Sequence, residues 1–396
     1  MRNIHLPIYN KERCTLFALG RNAIYAACIA LGLKPGDEVL TPAFDCDGTL
    51  QPFRILNLKL QFFRCDAYTF ACDIIDIKKR ITPKIKLIHI INHFGLPQPW
   101  DELLLLRNET GIPILEDNAY SLFSRFNDTQ FGAFGDISAF SLRKNLPLID
   151  GGLLCINNPG YRFQQPYKDP PWFYPTEKNA VFAAAKKRLG YYKLPGTLRS
   201  FMRRFNPAIN TPPPLFSESG KGYPAWRLRD RIGEEFLCDY LRPMSRLAKM
   251  QLSKFSKEDI EEIMDRKRRY YSWLSERLDS IKGIKILWPE LPKGIIPFCF
   301  SFLVESRRDA FFEDLREKYD VMVWPTLSQL VLRQLEDFPE VELLGKRLLQ
   351  INLPSDKVRL ASFSLYLKDL IQEIRALSGK YLSPSAPASA AGREGQ

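Results

Sequence analysis

Apolar and polar positions change period repeatedly between residue 20 and Cys155, and that alternation predicts the architecture. Helical spacing over Arg21–Leu31 gives way, through the turn Lys34-Pro35-Gly36-Asp37, to an apolar run from Glu38 to Thr41. A second helical stretch near Asp47–Leu56 precedes strands at Leu60–Cys65 and Lys86–Ile91. A helix over Pro99–Asn108 then leads to the short strand Pro113–Glu116. Continuously apolar strands that alternate with helices indicate a mostly parallel sheet covered on both faces. Ligands of such sheets sit beyond the carboxyl ends of the strands, and Asp117 falls at such an end.

After Cys155 the rhythm breaks. Residues 157–222 are rich in proline, aromatic and basic residues and include the tract Thr211-Pro212-Pro213-Pro214; loops of this length are usually functional or mobile. Regularity returns with a charged helix over Lys257–Ser280. It is followed by a strand Pro297–Val304, a helix Asp309–Lys318, a strand Val321–Trp324, a helix Glu340–Leu349 and a closing helix near Leu367–Leu377. The expected organisation is a large α/β domain over 1–250 carrying 157–222 as an insertion, and a small α+β domain over 251–382. The small, polar stretch 383–396 reads as a disordered tail.

Composition narrows the class. The chain has 396 residues, 45% hydrophobic and 26% charged, the balance of a globular enzyme, and no apolar run long enough to span a bilayer. The start, MRNIHLPIYNKERC, has no apolar core of signal-peptide length, so a cytoplasmic location is expected. The eight cysteines form neither a CxxC pair nor a metal-ligand spacing, which favours reduced thiols and no metal. The net charge of +12 has a local source: between Ala183 and Phe205 seven basic residues occur without an acid, interleaved with aromatic and aliphatic ones. Residues 183–206 would suit peripheral contact with an anionic membrane face, or a phosphorylated substrate; a solvated, partly helical insertion accounts for them equally simply. No nucleic-acid-binding motif accompanies the charge, so no nucleic-acid partner is expected.

The chemistry concentrates between Glu116 and Gly152. The strand PILED delivers Asp117, and SAFSLRKNLPLIDGG carries Lys144 with Ser138 and Ser141 before it. A lysine that is desolvated beside another cation, here Arg143, has a lowered pKa and serves as nucleophile and base. A carboxylate at the end of a buried strand must be paired or hydrogen-bonded; Asp117 could hold a protonated pyridine nitrogen or cap a following helix. Gly20, Arg21 and Asn22 open a helix, whose free amides and dipole bind anions.

Five segments, GRNAIYAACIALGLKPGDEVLTPAF, INHFGLP, EDNAYS, FGDISAFSLRKNLPLIDGG and FPEVELLGKRLLQINLPSD, occur in the order of landmarks of the DegT/StrS sugar aminotransferases, which the chain resembles as a divergent member over roughly residues 15 to 380. The resemblance implies the α/β fold of fold-type I enzymes, with a mostly parallel central sheet between helices and a smaller C-terminal α+β domain. It also implies pyridoxal 5'-phosphate (PLP) as cofactor and a homodimer acting in sugar biosynthesis for cell-envelope polysaccharide. Lys144, at the family's offset from Gly151-Gly152, would form the aldimine, and Asp117 would keep the pyridine nitrogen protonated. Tyr120 stands where Gln or His commonly meets the 3'-hydroxyl. Cys46 stands where an aromatic often covers the ring, and Gly20, Arg21, Asn22, Ser138 and Ser141 would receive the phosphate. An amino acid, such as glutamate, would be the donor and a nucleotide- or lipid-linked keto sugar the acceptor.

The chain also departs from that pattern. The serine of the usual SFxxxK motif lies two residues nearer the lysine, and the asparagine that the partner subunit lends to the phosphate has no counterpart near Leu241-Arg242-Pro243-Met244. His93, within INHFGLP, is either a site residue or a structural one. These departures also admit a PLP-fold protein that binds or docks without transaminating.

Overall fold

The computed structural model describes residues 4–167, 169–174, 240–316, 318–353, 355 and 363–382. Its larger sheet is built from the strands β1 (Cys14–Phe17), β2 (Glu38–Pro42), β3 (Lys59–Phe63), β4 (Ile85–Ile91), β5 (Ile114–Asn118), β8 (Ile137–Ser141) and β9 (Gly152–Ile156), a short hairpin of β6 (Arg125–Phe126) and β7 (Thr129–Gln130) interrupting the count. The order is β1-β9-β8-β5-β4-β2-β3. The pairs from β3 to β8 are all parallel, and β9 and β1 close one edge in antiparallel pairing. Strands β2, β5 and β8 are buried at every position, as expected for a sheet covered on both faces.

Local sequence explains the helices that flank the site. In α1 (Gly20–Ala30) an Ala-rich run buries Ala23, Ile24, Ala26, Ala27 and Cys28 against the sheet, and Gly32, at φ +69°, ends the helix in the left-handed conformation that favours glycine. Helix α2 (Asp47–Ile55) packs beside α1, α3 (Ile74–Arg80) follows β3, and α4 (Trp100–Thr110) leads into β5. Gly152 has a different reason to be glycine. A Cβ there would lie 2.8 Å from the Gly20 amide nitrogen and closer still to the Leu19 carbonyl, so only glycine lets β9 pass directly beneath the start of α1.

A second sheet, with order β10-β11-β13-β12, joins β10 (Ile284–Ile286), β11 (Cys299–Val304), β12 (Val321–Met322) and β13 (Leu348–Asn352). Helices α6 (Arg246–Leu252) and α7 (Lys257–Leu278) precede it, after the turn α5 (Leu142–Asn145) of the large sheet; α7 opens with a Ser256/Asp259 capping box. The helices α8 (Arg308–Arg316), α9 (Gln329–Leu332), α10 (Pro339–Arg347) and α11 (Phe363–Tyr381) complete the α-helices among the described residues. Phe300, Phe302, Leu349, Ile351, Leu370 and Ile374 belong to the core around the second sheet.

Three sequence expectations are corrected here. The helix expected to run to Leu349 stops at Arg347, because the buried Arg308 guanidinium caps the carbonyls of Gly345 and Leu348 and LLQIN turns into β13 against β11. The strand expected to reach Trp324 ends at Met322. Asp117 lies within β5, and its Oδ1 accepts from the Ala119 amide in a tight turn with no helix to cap. The basic stretch 183–206 and the tail 383–396 lie outside the described residues. No helix among the described residues is long and apolar enough to cross a membrane.

Candidate active site

The carboxyl ends of β5 and β8 and the segment after β2 converge on one cavity of about 180 Å³. Gly20 and Arg21 from the start of α1, Cys46 and Thr49 from the start of α2, Asp117 and Ala119 from β5, Ala139 and Ser141 from β8, Arg143 and Lys144 from α5, and Trp324 from the second sheet's side line it. Sequence-remote positions meet because the parallel topology returns each strand to the same end of the sheet.

Asp117 forms the floor. It is 2% exposed, and its Oδ2 stands 3.5 Å from His89 Nε2, on the neighbouring strand β4. His89 is fully buried, and its Nδ1 lies 2.9 Å from the Thr41 hydroxyl on β2. A carboxylate only accepts, so the imidazole proton belongs on Nε2, and Nδ1 accepts from Thr41. Thr41, His89 and Asp117 thus line up across three adjacent strands, with His89 Nε2 facing the carboxylate at 3.5 Å. His89 was not among the residues singled out in the sequence, where the run IKLIHII reads as core.

Lys144 rises opposite. The two-residue shortening before it is absorbed at once: β8 ends at Ser141, and a single helical turn, α5, starts on the next residue. Asn145, 3% exposed, holds that turn, its amide nitrogen donating to the carbonyls of Ser141 (2.9 Å) and Ala119 (3.0 Å). The Lys144 ammonium nitrogen consequently lies 4.1 Å from the Tyr120 ring centroid and 5.4 Å from that of Trp324. Burial pushes the Lys144 amine below the usual lysine range and Arg143 adds to that, while Cys46, Asp117 and Asp45 oppose it.

The remaining expected residues divide. Gly20, Arg21, Cys46 and Ser141 line the cavity with Asp117 and Lys144. The Arg21 guanidinium is steadied by Gln51 at 3.1 Å. Asn22 turns away: its amide donates to the Tyr240 carbonyl at 2.8 Å. Ser138 turns to the opposite side of β8, where its hydroxyl donates to the Gly132 carbonyl at 2.6 Å near Glu116. Strand geometry requires this, because Ser138 and Ser141 are an odd number of residues apart and face opposite sides. Tyr120 borders a small adjoining space with Asp45, Thr49, His93 and Trp324. Its hydroxyl accepts from the Trp324 indole N–H, and burial pushes its pKa up. His93 Nε2 donates to the Phe44 carbonyl at 2.9 Å, and burial lowers its pKa to about 4.

Chemically, this arrangement sets a lysine with a lowered pKa opposite a buried carboxylate, with amides of a helix start, a hydroxyl and two guanidinium groups at one end. Among the described residues no group of side chains could hold a metal ion. Residues 9–163, which contain every one of these parts except Trp324, match the DegT/DnrJ/EryC1/StrS aminotransferase family. GDP-perosamine synthase of Escherichia coli O157:H7 is 28% identical over 149 residues, 37% of this chain and 41% of that protein. UDP-N-acetyl-3-dehydro-alpha-D-glucosamine 3-aminotransferase of Acidithiobacillus ferrooxidans is 33% identical over 140 residues, 35% of this chain and 38% of that protein. The matched part thus spans about two fifths of these curated relatives. The fold extends further. The crystal structure of the aminotransferase TlmJ from Streptoalloteichus hindustanus superposes with a TM-score of 0.62 at 17% identity, covering 92% of this chain and 85% of that one. A DegT DnrJ EryC1 StrS aminotransferase from Brucella abortus gives 0.58 at 20% identity, with 93% and 86% covered.

Proposed function

We propose, from the premise that residues 9–163 belong to the DegT/DnrJ/EryC1/StrS aminotransferase family, that this chain is a PLP-dependent aminotransferase. It would move an amino group from an amino acid, glutamate in the simplest case, to a keto sugar carried on a nucleotide. The observation that carries the reading is the meeting of Lys144, Asp117 and the start of α1 around one cavity.

The residues present fit PLP. A buried carboxylate calls for a cationic or hydrogen-bonding partner; Asp117 has the Ala119 amide on one oxygen and His89 at 3.5 Å from the other, and a protonated pyridine nitrogen would complete it. The amides of Gly20 and Arg21 open α1, where a phosphate is favoured, and Ser141 adds a hydroxyl beside them. When bound, PLP supplies an aldehyde that takes up the amine and a ring that withdraws electrons from the reacting carbon.

This chain's own residues do the rest. Asp117 would hold the proton at the ring nitrogen, and His89, held by Thr41, faces that carboxylate from the neighbouring strand. Lys144 provides the amine, and its lowered pKa leaves more of it neutral near physiological pH, ready to attack and afterwards to move a proton between nitrogen and carbon. Tyr120 keeps its phenolic proton, a donor of the kind a ring oxygen needs. The keto-sugar acceptor is supported by the names of the two curated relatives, which match about a third of this chain.

The test is a titration of the purified protein with PLP, read by visible absorbance, followed by glutamate. A visible band that forms, bleaches with glutamate and is absent in Lys144→Ala supports the reading. No band in the wild-type protein rejects it.

A further inference from the structure

One aromatic surface in the cavity has no role yet. Two aromatic side chains line it, Phe140 and Trp324. Phe140 is fully buried and points toward Gly132, where an added Cβ would collide with its ring. The indole of Trp324 is therefore the aromatic face open to a ligand, and Cys46, a thiol, lies beside it.

Trp324 is held as a fixed wall. Its indole N–H donates to the Tyr120 hydroxyl. Three residues on, Leu327 pairs with Cys46 in an isolated antiparallel bridge. Next, the Ser328 amide donates to the Asp45 carbonyl at 3.2 Å, and its hydroxyl donates to the Asp47 carboxylate. The segment 324–328 is thus fastened along residues 45–47, and the indole has one place to stand. Its face is turned toward the site lysine, Lys144 Nζ lying 5.4 Å from the ring centroid.

Resting on the PLP reading above, we propose that Trp324 supplies the aromatic face against which the cofactor ring packs. A flat ring that Asp117 keeps protonated is the ligand such a face prefers, through offset stacking and attraction of its positive charge. Trp324 comes from the second sheet's side of the molecule and Asp117 from the first, so ring affinity depends on the two being held together by the contacts at residues 45–47.

The probe is 4'-deoxypyridoxine 5'-phosphate, which has the ring and phosphate but no aldehyde, so its affinity is free of any bond to Lys144. Calorimetry on wild type, Trp324→Phe and Trp324→Leu reads the stacking directly. Trp324→Phe keeps an aromatic face and should bind within about threefold of wild type, whereas Trp324→Leu should bind about tenfold more weakly. Intrinsic fluorescence provides a reading that does not depend on the folding of the leucine variant: the analogue should quench wild type more than Trp324→Phe, although five other tryptophans remain of the six. Equal affinity of wild type and Trp324→Leu, a phenylalanine variant as weak as the leucine one, or equal quenching would each overturn the proposal while leaving the PLP reading intact. A wild-type protein that binds neither the analogue nor PLP would overturn both.

Discussion

Replacing Gly152 by alanine should damage fold and cofactor site together, because the same few atoms serve both. The added Cβ would stand 2.8 Å from the Gly20 nitrogen and nearer still to the carbonyl of Leu19, all of it backbone. No rotamer change can relieve such a contact. Ordinary heavy-atom contacts begin near about 3.5 Å, so the start of α1 must retreat from β9 by roughly 1 Å. Neither side yields readily: Gly152 pairs with Phe17 and Ser141 on its two neighbouring strands, and the Gly151 amide donates to the Ala18 carbonyl at 2.6 Å. Overpacking of this kind costs about 1–3 kcal/mol, readable as a lower urea midpoint at unchanged slope. The displaced groups are the amides offered to the phosphate, so PLP affinity should fall as well. Ile374→Val, a change in the core beside the second sheet expected to cost about 0.5–1.5 kcal/mol, should lower stability and leave PLP affinity alone. Unchanged stability and affinity in Gly152→Ala, or equal loss of affinity in Ile374→Val, would refute the reasoning.

Further outcomes follow from other contacts. Asn145→Ala removes both side-chain bonds that hold the Lys144 turn, so thermal melts should report a loss of about 1–2 kcal/mol, with weaker PLP attachment alongside. Arg143 depresses the Lys144 pKa, so in Arg143→Gln the pH midpoint of PLP attachment should rise, and stopped-flow absorbance against pH reads it. Asp117→Asn should still take up PLP but turn over at least about a hundredfold more slowly, measured with glutamate under single-turnover conditions. His93, with a folded pKa of about 4 against 6.5 ordinarily, binds fewer protons folded than unfolded between those values. Its contribution, up to about 3 kcal/mol, is present above pH 6.5 and lost as pH falls toward 4, and its imidazole NMR signals should not titrate between pH 5 and 7.

Much of this site was legible because strand alternation and a handful of polar residues carried the signal. Glu38–Thr41, Lys86–Ile91 and Pro113–Glu116 read as buried parallel strands, and the resemblance to the DegT/StrS family singled out Asp117, Lys144, Gly20 and Ser141, which the structure brings to one cavity. The losses have physical causes. Asn22 and Ser138 sit in the right segments, but side-chain direction decides their partners, and for Ser138 the strand period alone would have placed it on the far side from Ser141. His89 is hidden inside an apolar run, where one imidazole resembles core. Trp324 enters from beyond a region with no readable period, so its place beside Cys46 is a tertiary fact. Asn145 acts only through two carbonyls, which leaves no trace in a sequence.

The most direct test is to incubate the purified protein with PLP, reduce with borohydride and map the modified peptide by mass spectrometry. The account expects a single phosphopyridoxyl group on Lys144, lost in Lys144→Ala and unaffected in Lys267→Met, which removes the buried lysine of α7 whose amine donates to the Leu353 carbonyl. Labelling of another lysine, or none in the wild-type protein, would contradict it.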